Sequence, residues 1–405
     1  MLNHAGVPVE SFAEPSAPGS ERPTLICFSH LRWDFVFQRP QHLMSRFAED
    51  MAVVFWEEPV VIGPHETACL KVRPAEGFPA VRIAVPQLPE GLSMPQAEAA
   101  LTQLLDTFTA TIRGPAVAWY YTPMMLPFSR HLDAAVVVYD AMDELSKFRF
   151  APAMLLDLEQ ELIAKADLVF TGGSSLYEAK KDRHDSVHLF PSSVDRAHFA
   201  KARGGRFDPA DQAELPRPRL GFYGVIDERF DIELLDRIAA MRPDWSFVMV
   251  GPVVKIAPED LPHRPNIHYL GPKTYAELPS YLSGWDVALM PFAMNESTQF
   301  ISPTKTPEYL AGGKPVVSTP VRDVVRHYGN LEGVQIAADA DAFVAACEKA
   351  LELARDGRGQ WLAEADLLLS SSSWQTTQAR MAGLIAKVLG TRTRQTLPAR
   401  LEAAA

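Results

Sequence analysis

The sequence predicts an α/β protein of two doubly wound domains in tandem, each a parallel sheet covered by helices, facing one another across a deep cleft. Three observations predict it. From Thr24 onward short apolar runs alternate with amphipathic stretches, the pattern of βαβ units. The chain has 405 residues, more than one compact core usually holds. The alternation restarts after Lys201 to Arg219, a stretch rich in Gly, Pro and charge that reads as a linker.

In the first half, Thr24 to Ser29 is a strand, and Pro40 suits the first turn of a helix that presents Leu43, Met44 and Phe47 on one face. Strands follow at Met51 to Glu58, in the run VRIAVP, in AVAWYYTP, in AVVVYDAMDE, in DLVFTGG and at Ser186 to Asp195, with helices near Gln96 to Arg113 and from Pro152 to Ala166. In the second half RLGFYGVI, WSFVMVGP, NIHYLGP, VALMPF and PVVSTP are the strands. Helices lie in DIELLDRIAAMRP, in YAELPSYLSGW, before Gly312, around Ala340 to Ala354 and from Trp374 to Leu389. The expected boundaries are a flexible tail 1–21, a Rossmann-like N-terminal domain 22–200, a linker 201–219, a Rossmann-like C-terminal domain 220–373, a helix 374–390 crossing back to the N-terminal domain, and a second tail 391–405.

Composition narrows the function classes. At 47% hydrophobic and 22% charged residues the chain is globular, and a net charge of −11 disfavours nonspecific nucleic-acid binding. Cys27, Cys69 and Cys347 show neither a disulfide framework nor metal-ligand spacing. The first twenty residues contain no apolar run of the signal-peptide kind, and no apolar run approaches the roughly 20 residues of a spanning helix. A cytoplasmic protein is expected, with membrane contact limited to peripheral association at the inner face.

Ligands of doubly wound sheets bind outside the carboxyl ends of the strands, so candidate residues are sought on the loops after strands. Ile301 to Pro320 holds one such group. Ser302 or Thr306 can cap a helix with Pro303 or Pro307 at its first position, which leaves Lys305 close to the helix start. A cation is disfavoured there by about 0.3 to 1 kcal/mol unless an anion binds between it and the free backbone N–H groups. Glu308 offers two acceptor oxygens that suit the vicinal hydroxyls of a ribose. A well-capped helix with a solvated lysine explains the same residues, and the motif by itself leaves both readings open.

The stretch SPTKTPEYLAGGKPVVSTP resembles the helix motif of the C-terminal domain in retaining glycosyltransferases of the GT-B fold (glycosyl transferases group 1, family 4-like). The resemblance continues through GFYGVIDERFD, WSFVMVGP, NIHYLGP, YAELPSYLSGWDVALMPF and SSSWQTT. The N-terminal WDFVFQRPQHL and VVYDAMDEL resemble a subgroup of exopolysaccharide or teichuronic-acid-type enzymes. The resemblance implies transfer of a sugar from a nucleoside-diphosphate donor, UDP favoured and GDP as the other base, to a hydroxyl of a glycan or lipid-linked acceptor, with retention. It implies no metal or other cofactor. Glu308 then holds the ribose, and Gly224, Arg229, Ser302, Thr304, Lys305 and Lys273 are the further donor-binding candidates. Asp140 and Asp143, where the strand AVVVYDA ends, are the catalytic candidates, contacting the sugar or the acceptor. Trp33, Asp34 and Arg39, on the loop after the first strand, are acceptor or sugar contacts. The family commonly carries a second glutamate eight positions before Glu308, where this chain has Phe300; Glu296 or Lys305 is the candidate replacement. A sugar-nucleotide epimerase and an inert nucleotide-binding scaffold are the alternative readings. A dinucleotide oxidoreductase is disfavoured because the loop after the first strand has no GxGxxG.

Overall fold

A computed structural model describes residues 22–204, 208–355 and 359–402, with 392–402 as backbone. The expected tail 1–21 lies outside the described residues. The N-terminal half runs β1 (Thr24–Phe28), α1 (Arg39–Asp50), β2 (Ala52–Trp56), β3 (Val60–Ile62), β4 (Cys69–Ala75), β5 (Phe78–Pro89) and α2 (Met94–Thr109). It continues with β6 (Ala116–Tyr120), α3 (Leu126–Ser129), β7 (Val136–Ala141), α4 (Leu155–Lys165), β8 (Leu168–Thr171), α5 (Ser174–Lys180), β9 (Val187–Leu189) and α6 (Arg196–Ala200). The C-terminal half runs α7 (Ala210–Ala213), β10 (Arg219–Tyr223), α8 (Ile232–Met241), β11 (Ser246–Val250), β12 (Ile267–Tyr269), α9 (Leu278–Ser283) and β13 (Val287–Met290). It closes with α10 (Lys305–Ala311), β14 (Val316–Ser318), α11 (Arg322–Tyr328), β15 (Val334–Ile336), α12 (Ala340–Arg355), α13 (Gln360–Leu369) and α14 (Trp374–Glu402).

The first sheet has the order β3-β5-β2-β1-β6-β7-β8-β9, parallel throughout, with β4 added antiparallel to β5. The second has the order β12-β11-β10-β13-β14-β15, also parallel. In each sheet the strand order reverses beside the first strand, and such switch points are where doubly wound sheets bind ligands. The β10 pairings to β11 and to β13 place the loops after these three strands together.

Central strands are mostly apolar because both faces are covered: all five residues of β10 and of β11 are buried. The C-terminal helix does cross back, with Trp374, Met381 and Ile385 joining the core of α1 and the first sheet. That helix runs to Glu402, past the expected 390, so the expected tail is helical up to that residue. The expected linker also carries structure. Gln212 of α7 donates to the Tyr281 carbonyl and accepts from the Trp285 indole, which docks the connection onto the second domain. The β3 and β4 strands, α11, β15 and α13 were not expected from the sequence; the three strands are three to seven residues long and β4 lies at the sheet margin, where the apolar signal is weak.

Candidate active site

On the C-terminal side the site begins at Gly224, just past β10, with φ +144°. A Cβ there would lie 2.2 Å from Lys305 Cε, so the absence of a side chain is what lets the lysine stem pass. Gly251, just past β11, sits equally tight: a Cβ there would meet the Gly224 carbonyl oxygen at 1.8 Å.

Lys305 is the first residue of α10, with Thr304 as the cap in place of the expected Ser302 or Thr306. Pro307 falls at the third helical position, still within the turn whose N–H groups have no intrahelical acceptor. Burial lowers the Lys305 ammonium from its ordinary value, against the attraction of Glu308, and Arg229 lowers it further. Burial pushes Glu308 up to about 7, although Lys305 and the Tyr223 hydroxyl favour its ionised form. Tyr223 donates to Glu308 Oε2 at 2.9 Å. The Thr306 hydroxyl oxygen is closed off and has no hydrogen-bond partner among the described residues.

Arg229, on the loop after β10, is held by a fork to Asp227, with Nε–Oδ1 at 2.9 Å and Nη2–Oδ2 at 2.7 Å. Its guanidinium lies 5.3 Å from the ring centre of Phe148, which comes from the N-terminal half. Lys255 lies 4.9 Å from the same ring and 3.5 Å from Glu228. It reaches there from the loop after β11 with φ +62°, an uncommon backbone state for a non-glycine residue that clusters at functional sites. Asp143, after β7, completes the group. Burial raises its carboxyl, and the charges acting on it, in order, are Arg229, Asp227, Lys305 and Lys255. The loop after β1 adds His30, whose ring burial and then Lys255 push it down to about 4, so it is neutral at pH 7.

The structure therefore brings Gly224, Arg229, Lys305, Glu308 and Asp143 together. Thr304 joins them only as the cap of α10. The other expected contacts are corrected by their packing. Asp140 is fully buried in a forked pair with Arg39, with Nε–Oδ2 at 3.0 Å and Nη2–Oδ1 at 2.8 Å. The same guanidinium donates to the Phe190 carbonyl at 2.8 Å, so both residues brace the strand ends and neither presents to the cleft. Trp33 is a core residue, edge-on to Phe55 at 5.1 Å and to Phe78 at 5.9 Å. Asp34 is exposed and paired with Arg73 of β4. Lys273 is taken up by Asp211 at 2.7 Å and lies 5.1 Å from the Tyr281 ring. Ser302 abuts Gly173 of the N-terminal half. Glu296 is exposed and lies 3.3 Å from Lys147 of the N-terminal half.

Sequence reasoning missed Lys255, Asp227, Tyr223, Phe148 and His30. Lys255 and His30 carried a readable signal, since both follow strands on the same loop sides as the residues that were found.

Two facing doubly wound domains are the GT-B architecture, with a lysine, an arginine and carboxylates on the strand-end loops, and the chain is similar to glycosyltransferases. Residues 217–353 match the family described as Glycosyl transferases group 1. The Bacillus subtilis (strain 168) protein TuaH, named as a glycosyltransferase of teichuronic acid biosynthesis, is 27% identical over 275 residues, which cover 62% of this chain and 68% of TuaH. Among solved structures, sucrose-phosphate synthase (tll1590) from Thermosynechococcus elongatus superposes with a TM-score of 0.68 at 15% identity, covering 91% of this chain and 100% of that one. Anabaena Alr3699/HepE in complex with UDP superposes with a TM-score of 0.61 at 12% identity, covering 90% and 100%. Among the described residues no helix is long and apolar enough to cross a membrane.

Proposed function

We propose that this chain transfers a sugar, with retention, from a nucleoside-diphosphate donor to a hydroxyl of a glycan or lipid-linked acceptor in polysaccharide biosynthesis. UDP is the favoured nucleotide. The observation that carries the reading is Lys305 and Glu308 standing less than a turn apart at the start of α10, against Gly224 and the Arg229 loop. The name of TuaH supports the class of product, and the HepE structure with UDP supports the nucleotide.

In this reading Lys305 and Arg229 receive the diphosphate. Their positive charge is worth most as the bond between the sugar's anomeric carbon and the diphosphate oxygen breaks and negative charge gathers on the leaving group. Asp227 fixes the Arg229 fork in advance, so little reorganisation is needed at that moment. Glu308 accepts hydrogen bonds from the ribose hydroxyls, oriented by Tyr223. The acceptor hydroxyl attacks the anomeric carbon on the face the diphosphate leaves, and its proton passes to the leaving diphosphate. Asp143 contacts the transferred sugar or the acceptor from the N-terminal side, and Arg39 with Asp140 holds the base of its loop. The residues on these loops carry the electrostatic work without a resident metal.

The test is calorimetric titration of UDP into the full chain and into Glu308→Ala. Binding that weakens at least tenfold in the variant supports the reading, and equal affinity in the two proteins contradicts the ribose role.

A further inference from the structure

Asp323, on the first turn of α11 in the C-terminal half, is 1% exposed, and it is spent on the other domain. Its Oδ2 accepts from the Ser174 backbone N–H at 2.8 Å. Its Oδ1 accepts from the Ser175 backbone N–H at 3.1 Å and from the Ser175 hydroxyl at 2.7 Å. Beside this contact the Ser174 hydroxyl is 2.9 Å from His327 Nε2, one turn further along α11. The serines open α5, so the carboxylate of one domain satisfies the backbone donors of a helix start in the other.

The chain between them is shaped to this contact. A Cβ at Gly173 would lie 2.5 Å from Asp323 Oδ2 and 2.5 Å from Ser302 Cβ, so only glycine lets both approach. Ser302 is three residues before Lys305. One turn of the N-terminal domain therefore touches both α11 and the loop that leads into the donor site. Other contacts between the two halves line the cleft: Phe148 lies against Arg229 and Lys255, Lys147 is 3.3 Å from Glu296, and the Phe37 and Tyr275 ring centres are 4.7 Å apart.

We propose that Asp323 is an interdomain clasp, holding the N-terminal domain closed over the donor loop through Ser174, Ser175 and Gly173. Opening the cleft exposes a carboxylate that three donors satisfy when closed, so the closed form is favoured by charge-assisted bonds that water must replace. The proposal rests on the two-domain transferase reading for its consequence, but the clasp itself is testable without any ligand.

The test is small-angle X-ray scattering of the full chain as wild type, Asp323→Ala, Asp323→Asn and Ser175→Ala, followed by titration of UDP. The expected result is a larger radius of gyration in Asp323→Ala and smaller increases in the other two. UDP affinity is expected to stay within about twofold of wild type, because the groups proposed to hold the nucleotide are untouched. Ser175→Ala loses one hydrogen bond and keeps the measurement interpretable if Asp323→Ala does not fold. Scattering curves of Asp323→Asn and Ser175→Ala that superpose on wild type overturn the clasp. Failure of wild type to bind UDP, with the scattering differences present, overturns the nucleotide reading and leaves the clasp standing.

Discussion

Tyr223 donates its hydroxyl hydrogen to Glu308 at 2.9 Å, so the last residue of β10 orients the carboxylate on α10. Replacing Glu308 with Ala removes the carboxylate proposed to accept from two ribose hydroxyls. Hydrogen bonds to a charged group contribute about 1.5 to 3 kcal/mol each, so a loss of at least tenfold in UDP affinity is expected by calorimetry.

The same carboxyl gives a pH dependence. Its protonated form is the one favoured below about 7, and protonation removes acceptor capacity, so UDP affinity should rise from pH 6 to pH 8 and the rise should vanish in Glu308→Gln. Stability runs the opposite way. A carboxyl raised from 4.5 to about 7 in the folded protein contributes stability that is fully present below 4.5 and is lost as pH rises through 7. The loss is about 3 kcal/mol, and chemical denaturation of Glu308→Gln at pH 8 should recover most of it.

Gly224→Ala tests whether the lysine must pass through the glycine's empty side-chain position. With φ +144° and a Cβ 2.2 Å from Lys305 Cε, the substitution strains the backbone and displaces the ammonium. Weakened UDP binding with a stability loss of about 1 to 3 kcal/mol is expected.

Arg229→Ala separates the phosphates from the nucleoside. Affinity for UDP should fall about tenfold or more, while affinity for uridine changes little, because the guanidinium is proposed to meet only the diphosphate. Equal losses for the two ligands place Arg229 elsewhere.

The buried Arg39 and Asp140 pair should behave as structure. Asp140→Ala leaves the guanidinium without its carboxylate and is expected to cost about 3 to 5 kcal/mol in denaturant unfolding. Arg39→Met combined with Asp140→Leu should cost much less than either single change, because both buried charges are then gone.

Much of the fold was legible because both faces of the central strands are covered, which makes β1, β2, β6, β7, β10, β11 and β13 predominantly apolar runs. The placement of Arg229, Lys305 and Glu308 near one another was legible because they lie on the connections that follow β10 and β13, which are neighbours in the sheet. The N-terminal contacts were misjudged because residue type and loop position do not reveal pairing. Arg39 and Asp140 are 101 residues apart and consume one another, and Trp33 turns inward onto Phe55 and Phe78. The clasp was equally silent, since Asp323 and Ser174 are 149 residues apart and each alone reads as an ordinary helix-start residue.

The most direct test of the account is titration of UDP, UMP, uridine and GDP into the wild-type chain and into a Lys305→Ala, Glu308→Ala double variant. The account predicts one site that binds UDP more tightly than UMP or uridine, with binding lost in the double variant. Binding of no nucleoside diphosphate, or equal binding by the double variant, contradicts it.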